Sequence, residues 1–190
     1  MCKGLKEIHD LQASDILHKY SLPKTTSKHI DVFEILDHLN LTYESISFEE
    51  LEKSLFLKGN DTILGMAYSK GDKVGILYSN TLCSKDINYV VAHELAHCCL
   101  HLPVSAEFHV ELKTKNDIYS SFLSKPLKNS QVLKKEKEAD MFAADLLIPT
   151  EMLVSYIKNS DSLSIEDISN HFNVPELLVH KKIIMLSKRI

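Results

Sequence analysis

Apolar residues recur along the chain at two different spacings, and these spacings predict an alternation of helices and strands. Positions three or four apart are apolar in residues 3–20, 29–39 and 86–101, which is the pattern of helices with one buried face. Pro23 and a Thr/Ser cluster separate the first two segments, and Asn40 suits the end of the second. The chain is therefore expected to open with two helices and to carry a longer one near its middle.

Alternating apolar and polar positions predict strands between and after these helices. Residues 41–46 have the pattern of an edge strand, and residues 63–69 and 73–79 that of a hairpin around the turn at 70–72. Another alternating stretch, at residues 106–112, predicts a further strand. The sequence thus predicts a small sheet whose hairpin leads into the long central helix.

Two Ser-x-x-acid patterns predict helix starts. Ser47-Phe-Glu-Glu50 would begin a short helix that reaches about residue 57, and Ser164-Ile-Glu-Asp167 would begin a helix near the C-terminus. Asn173-Val-Pro175 would then start a last helix. Helix, short turn and helix is the arrangement of a helix-turn-helix, but the last helix begins with Glu176 and is mixed in charge. A helical cap or a protein-docking pair is therefore favoured over a DNA reader.

Length, composition and charge narrow the class of protein. With 190 residues, 44% hydrophobic and 25% charged, the chain has the make-up of a soluble globular protein of one domain, or of one domain with a small appendage. Its net charge of −4 argues against strong nonspecific binding to nucleic acid. No apolar run approaches the roughly 18–20 residues that span a membrane, and the N-terminus lacks the apolar core of a signal peptide. These features predict a cytoplasmic protein.

The central helix carries the chemistry. Residues 93–97 are His-Glu-Leu-Ala-His, an H-E-x-x-H motif. On a helix, His93 and His97 lie on one face, so both imidazoles can bind one Zn²⁺ at ~2.0–2.1 Å. Glu94 would lie next to the metal, where it suits proton transfer. With an open coordination position, this set of groups can hydrolyse an amide.

A third protein ligand is expected from the helix predicted at residues 134–149. Glu136 shares one helical stripe with Ala139, Asp140 and two further small or apolar residues, and the alanines allow close approach to another helix. Asp140, one turn on, could accept the far ring N–H of a ligating histidine. Glu138 is the competing ligand, but it points roughly 200° away around the helix. Glu136 is therefore preferred and Glu138 stays open.

The two blocks together resemble a known family. HELAH at residues 93–97, followed by EKEADMFAADLLIP at residues 136–149, is similar to the ImmA/IrrE family of zinc metallopeptidases. That family pairs an H-E-x-x-H helix with a later E-x-E-A-[DN]-x-F-A-x-x-L-L-[MI]-P segment. The resemblance extends more loosely from about Thr25 to the C-terminus.

The resemblance implies a fold and a set of roles. The fold would be α+β, a gluzincin-like minimal metalloprotease in which a small mixed sheet packs on the H-E-x-x-H helix, with C-terminal helices resembling a helix-turn-helix. His93 and His97 would bind zinc together with a glutamate of the second block, and Glu94 would be the catalytic residue. An edge strand of the sheet would hold a substrate peptide by backbone pairing.

Domains and function follow as expectations. Residues 1–24 would be an N-terminal helical extension, residues 25–150 the zinc metallopeptidase domain, and residues 151–190 a C-terminal helical subdomain. The expected function is that of a zinc-dependent endopeptidase that cleaves a specific regulatory protein, such as a helix-turn-helix repressor, in bacteria or a mobile element. The alternative is a non-catalytic zinc-containing regulator that binds a repressor or DNA through its C-terminal helices. Glu94 favours the enzyme, since a structural zinc site has no use for it.

Several other residues receive no direct role. Cys98 and Cys99 point away from the face of His97 and are expected to pack in a reducing compartment. His101 lies about 6 Å further along the axis and is expected beside the site or at the surface. Residues 123–132 are expected to form a loop. The donor that would stabilise an oxyanion is left open among His109, His171, His180, Tyr78, Tyr89 and Tyr119.

Overall fold

The computed structural model describes residues 7–20, 29–55, 62–70, 73–102, 108–114, 130–160 and 163–188. These residues contain eight helices and four strands. The helices are α1 (Ala13–Tyr20), α2 (Val32–His38), α3 (Glu49–Ser54), α4 (Ser84–Leu100), α5 (Ser130–Leu147), α6 (Thr150–Lys158), α7 (Ile165–Phe172) and α8 (Glu176–Ser187). The strands are β1 (Thr42–Ile46), β2 (Ile63–Lys70), β3 (Lys73–Ser79) and β4 (Phe108–Thr114).

The four strands form one mixed sheet in the order β1-β3-β2-β4. β1 runs parallel to β3, with Thr42 opposite Gly75, while β2 pairs antiparallel with both β3 and β4. β1 and β4 are thus the edges of the described sheet. The predicted hairpin and the predicted edge strand are confirmed, and the strand predicted at residues 106–112 lies two residues further on.

The helix that follows β3 is the centre of the fold. α4 packs against β2, β3 and β4 on one side and against α5 on the other. As a result, every residue of α4 from Asn88 to Cys99 is buried. Ala139 and Ala143 of α5 are also fully buried, which agrees with their predicted role in the close approach of two helices. α1 and α8 pack on α5, and α2 packs on α4 and β1.

The start of the first helix differs from the prediction of residues 3–20. α1 begins at Ala13, because a turn at residues 8–10 with Asp10 in the left-handed region (φ 64°) precedes it. The backbone N–H of Asp10 donates to the carbonyl of Cys99 (2.9 Å), a tertiary bond that periodicity does not register. Leu5, predicted on the same helix, lies outside the described residues.

The capping box predicted at residues 47–50 is wrong. Phe48 occupies the N-cap position of α3 without a side-chain hydrogen bond, because the helix starts one residue later than the pattern requires. Glu50 pairs with Lys53 instead (2.9 Å). By contrast, Ser164 and Asp167 do form the capping box that starts α7.

The helices predicted in the second half of the chain are present, whereas α6 was not predicted and residues 130–132 of the predicted loop are helical. α5 begins at Ser130, four residues before the predicted start, while most of the expected loop at residues 123–132 lies outside the described residues. α7 ends where Asn173 adopts the left-handed conformation (φ 50°), and α8 starts after Pro175. α7 and α8 pack against each other as a helix pair. Within the described residues, no helix combines the length and apolar character that crossing a membrane requires.

Candidate metal centre

Three potential metal-binding side chains converge between α4 and α5. Nε2 of His93 lies 3.1 Å from Nε2 of His97. Oε2 of Glu136 lies 3.4 Å from Nε2 of His93, and Oε1 of Glu136 lies 3.4 Å from Nε2 of His97. Ligand atoms held at ~2.0–2.1 Å around a tetrahedral ion lie roughly 3.3–3.4 Å from one another. All three side chains are buried. The spacing of these three side chains therefore suits one shared cation, with a position left for a further ligand.

The hydrogen bond between His93 and Asp140 also suits Nε2 of His93 for binding a cation. Nδ1 of His93 lies 2.9 Å from Oδ1 of Asp140. A carboxylate only accepts, so Nδ1 carries a proton and donates it, and in a neutral ring Nε2 then presents a lone pair. This lone pair faces the carboxylate of Glu136 in a buried place. Electron-pair donors brought together in this way are stabilised by a cation between them.

Asp140 is itself held by two further groups. The hydroxyl of Tyr89 donates to its Oδ1 (2.6 Å), and Nζ of Lys181 donates to its Oδ2 (2.5 Å). Burial, reinforced by the charge of Asp140, raises the pKa of Tyr89 well above its ordinary range, so its hydroxyl remains a donor. Lys181 belongs to α8, so three helices meet at this carboxylate.

His97 is neutral and is engaged at both ring nitrogens. Burial lowers its pKa to about 4, although the adjacent carboxylate of Glu136 acts in the opposite direction. Neutral imidazole is the form that binds metals. Its Nδ1 lies 2.9 Å from Nδ1 of His101, whose Nε2 lies 3.2 Å from Oε2 of Glu138.

Glu94 lies where the sheet comes closest to α4. Its side chain is fully buried, and Gly65 of β2 packs against it. A Cβ at Gly65 would lie 2.9 Å from Cγ of Glu94 and 2.6 Å from Cγ1 of Val90. Glycine is therefore required for this approach of strand to helix.

The structure brings His93, His97 and Glu136 together and directs Glu138 elsewhere. Glu138, the competing ligand, contacts His101 and is 43% exposed. Asp140 contacts His93. The sequence analysis expected Asp140 to accept the ring N–H of one of the two metal-binding histidines. Three contributors were missed: Lys181, Tyr89 in its role beside Asp140, and Gly65. The one usable signal for Gly65 was a glycine inside an apolar strand, which often marks a close approach of backbone.

Where the structure describes the remaining candidates, they have other partners or lie at the surface. Cys98 and Cys99 are buried, which confirms that they pack, and burial raises the pKa of Cys99 to about 12. The ring of His171 stacks on Tyr156 (3.9 Å between centroids), and Tyr78 contacts Phe33. The side chain of His109 and the whole of Tyr119 lie outside what the structure describes, and His180 is exposed. The oxyanion donor therefore stays open.

Comparison with known proteins agrees with this geometry. The profile of the IrrE N-terminal-like domain, Peptidase_M78, matches residues 58–183. The chain belongs to this family. The match includes β2, α4 and α5, and the α+β fold with its small mixed sheet is that of a minimal metalloprotease. Membership implies a metal-dependent peptidase that acts on a protein substrate. No curated protein and no solved structure matches the chain.

Proposed function

We propose that this chain is a zinc-dependent endopeptidase whose metal is held by His93, His97 and Glu136. The observation that carries the proposal is the convergence of these three buried side chains. The two Nε2 atoms lie 3.1 Å apart, and each lies 3.4 Å from a different carboxylate oxygen of Glu136. Two imidazoles and one glutamate are the protein ligands of a common class of catalytic zinc site, in which a fourth position stays open. Zinc therefore suits the donor set better than the oxygen-preferring cations do.

Glu94 is the proposed general base. Bound zinc would supply Lewis-acid polarisation of the peptide carbonyl and of the attacking water. Glu94 would accept a proton from that water and return it to the leaving amine. Its position supports this role, because it follows His93 directly and is buried against Gly65. Asp140 would hold His93 in the tautomer that presents Nε2.

The proposed substrate is a specific regulatory protein, such as a helix-turn-helix repressor of a bacterium or a mobile element. β4 supports an extended peptide as the bound form, since it is an edge of the described sheet next to β2 and could pair with one more strand. A repressor acts on DNA inside the cell, so the proposal includes a cytoplasmic location. Residues 25–150 would form the peptidase domain, with the helical extension at 1–24 and the helical subdomain at 151–190.

The alternative of DNA binding by the C-terminal helices is less well supported. A recognition helix presents its cations to phosphates and bases. In α8, however, Lys181 donates to Asp140, and Lys182 is buried and donates to Asp145 (2.7 Å). Both lysines thus face α5, so α8 supports a packing role.

The test compares wild type with Glu94→Gln and His97→Ala. Wild type and Glu94→Gln should each copurify with one zinc per chain, and His97→Ala should contain little. A proteome comparison of cells that express each variant should show one or a few regulatory proteins cut by wild type alone. The purified candidate should then be cleaved by wild type, with the reaction stopped by a chelator. Cleavage by Glu94→Gln at the wild-type rate, or a wild type without zinc, would overturn the proposal.

A further inference from the structure

The line of hydrogen bonds behind His97 runs from the buried centre to the surface. Nδ1 of His97 lies 2.9 Å from Nδ1 of His101, and Nε2 of His101 lies 3.2 Å from Oε2 of Glu138. The side chain of His101 is 5% exposed, and that of Glu138 is 43% exposed. His101 is the C-cap residue of α4, and its N–H still donates to the carbonyl of His97 (3.0 Å). The helix end thus keeps the two rings side by side.

Glu138 sets the direction of the proton donors along this line. A carboxylate only accepts, so the tautomer of His101 that suits it has the proton on Nε2. Nδ1 of His101 is then an acceptor, and it suits the tautomer of His97 with the proton on Nδ1. That tautomer leaves the lone pair of His97 on Nε2, the atom that lies 3.4 Å from Glu136 and 3.1 Å from His93. Each step follows from the carboxylate of Glu138 at the surface end of the line.

We propose that His101 and Glu138 are positioning residues that hold His97 in its metal-binding tautomer and orientation. The inference rests on the proposed zinc site. The two metal-binding histidines would then be oriented in different ways. His93 is held directly by the buried Asp140, whereas His97 is held through the imidazole of His101. A ligating histidine commonly needs such a partner at its other ring nitrogen, and losing the partner typically weakens metal binding by roughly 10–100-fold.

The competing explanation is that His101 only fills space. Its ring lies 4.8 Å from that of His97 between centroids, with the planes tilted by 57°, so an aromatic contact alone could account for its position. His101→Phe keeps a ring but removes the acceptor at Nδ1. His101→Asn loses the ring but keeps an acceptor close to the position of Nδ1. The two variants therefore separate packing from hydrogen bonding.

The experiment measures zinc affinity and ring tautomers. Zinc dissociation constants come from competition with a chromophoric chelator, and tautomers from long-range ¹H–¹⁵N spectra of the zinc-loaded wild type. We expect His101→Phe to weaken zinc binding by roughly 10–100-fold and His101→Asn to stay within a few-fold of wild type. His171→Phe, a matched change at the ring stacked on Tyr156, should leave the affinity unchanged. The spectra should place the proton on Nδ1 of His97 and on Nε2 of His101.

Two results would overturn the inference. One is a zinc affinity of His101→Phe equal to that of wild type. The other is a zinc-loaded wild type in which Nδ1 of His101 carries a proton, because that nitrogen could then not accept from His97. The tautomer measurement needs no variant, so it decides the matter even if His101→Phe fails to fold. A wild type that binds no zinc would instead contradict the proposed function. The zinc titration of the wild type tests this point separately from the variants.

Discussion

Lys181 in α8 donates a hydrogen bond to Asp140 in α5, and Asp140 holds Nδ1 of His93. The last helix of the described chain is therefore joined to the carboxylate behind the metal centre. Both side chains are almost completely buried, at 11% and 6% exposed. Removal of one member of a buried pair leaves the other charge without compensation, which is costly.

Lys181→Met should therefore lower the free energy of unfolding of the metal-free protein by about 3 kcal/mol. Urea unfolding followed by circular dichroism measures the change. Lys53→Met is the matched control, because the pair of Lys53 with Glu50 is largely exposed and should contribute less than about 1 kcal/mol. Equal effects of the two changes would contradict the buried pair.

Glu136→Gln and Glu138→Gln should separate the two acidic candidates. Glu136→Gln removes a proposed ligand and should weaken zinc binding by more than roughly 100-fold. This exceeds the roughly 10–100-fold loss that is usual when a residue hydrogen-bonded to a metal ligand is removed. Glu138→Gln keeps an oxygen acceptor for His101 and should cost less than about 10-fold. Chelator competition measures both. The reverse order of the two effects would make Glu138 the ligand.

Gly65→Ala should weaken both stability and cleavage. The added methyl group would lie 2.6 Å from Cγ1 of Val90 and 2.9 Å from Cγ of Glu94, so β2 or α4 must shift. Overpacking of this kind costs about 1–3 kcal/mol. The double variant Gly65→Ala/Val90→Ala removes the closest contact. Its loss of unfolding free energy in urea should therefore be smaller than the sum of the losses of Gly65→Ala and Val90→Ala. Strictly additive losses would show that the two positions do not touch.

Metal-free protein should lose stability as the pH falls from about 6.5 towards about 4. Unfolded His97 takes up a proton near its ordinary pKa of about 6.5, whereas folded His97 does so only at about 4. Between these values the unfolded state binds more protons, so acid favours unfolding. Thermal unfolding of chelator-treated protein between pH 7.5 and pH 4 measures the effect. His97→Asn should lose less thermal stability over this range than the wild type. If the variant had the same pH dependence as the wild type, His97 would not be the cause.

Local patterns predicted the elements whose causes are local. His93, Glu94 and His97 belong to one helix, so the 3.6-residue repeat alone places the two imidazoles on one face. The capping box at Ser164 formed as predicted, because all its partners lie within four residues. The box predicted at Ser47 failed, because the start of α3 moved by one residue and Glu50 found Lys53.

Contacts between distant segments were predictable only in part. The alanine stripe of α5 indicated the face that packs on another helix. Because Glu136 lies on that stripe, it was preferred over Glu138 as the third metal ligand. No pattern indicated that Lys181, which lies 41 residues after Asp140, would reach it, or that Gly65 would meet Glu94. A basic residue on a short C-terminal helix has the same local pattern whether it faces solvent or a buried carboxylate.

The sequence by itself thus determined the family, the order of most elements and the helix that carries two imidazoles and a carboxylate, because repeat, spacing and motif are properties of neighbouring residues. The tertiary structure alone decided which atoms meet: Glu136 beside both imidazoles, Asp140 behind His93, and His101 with Glu138 behind His97. The physical reason is that the packing of α4 against α5 and the sheet sets distances of a few ångströms between residues far apart in the chain, and no local spacing encodes these distances.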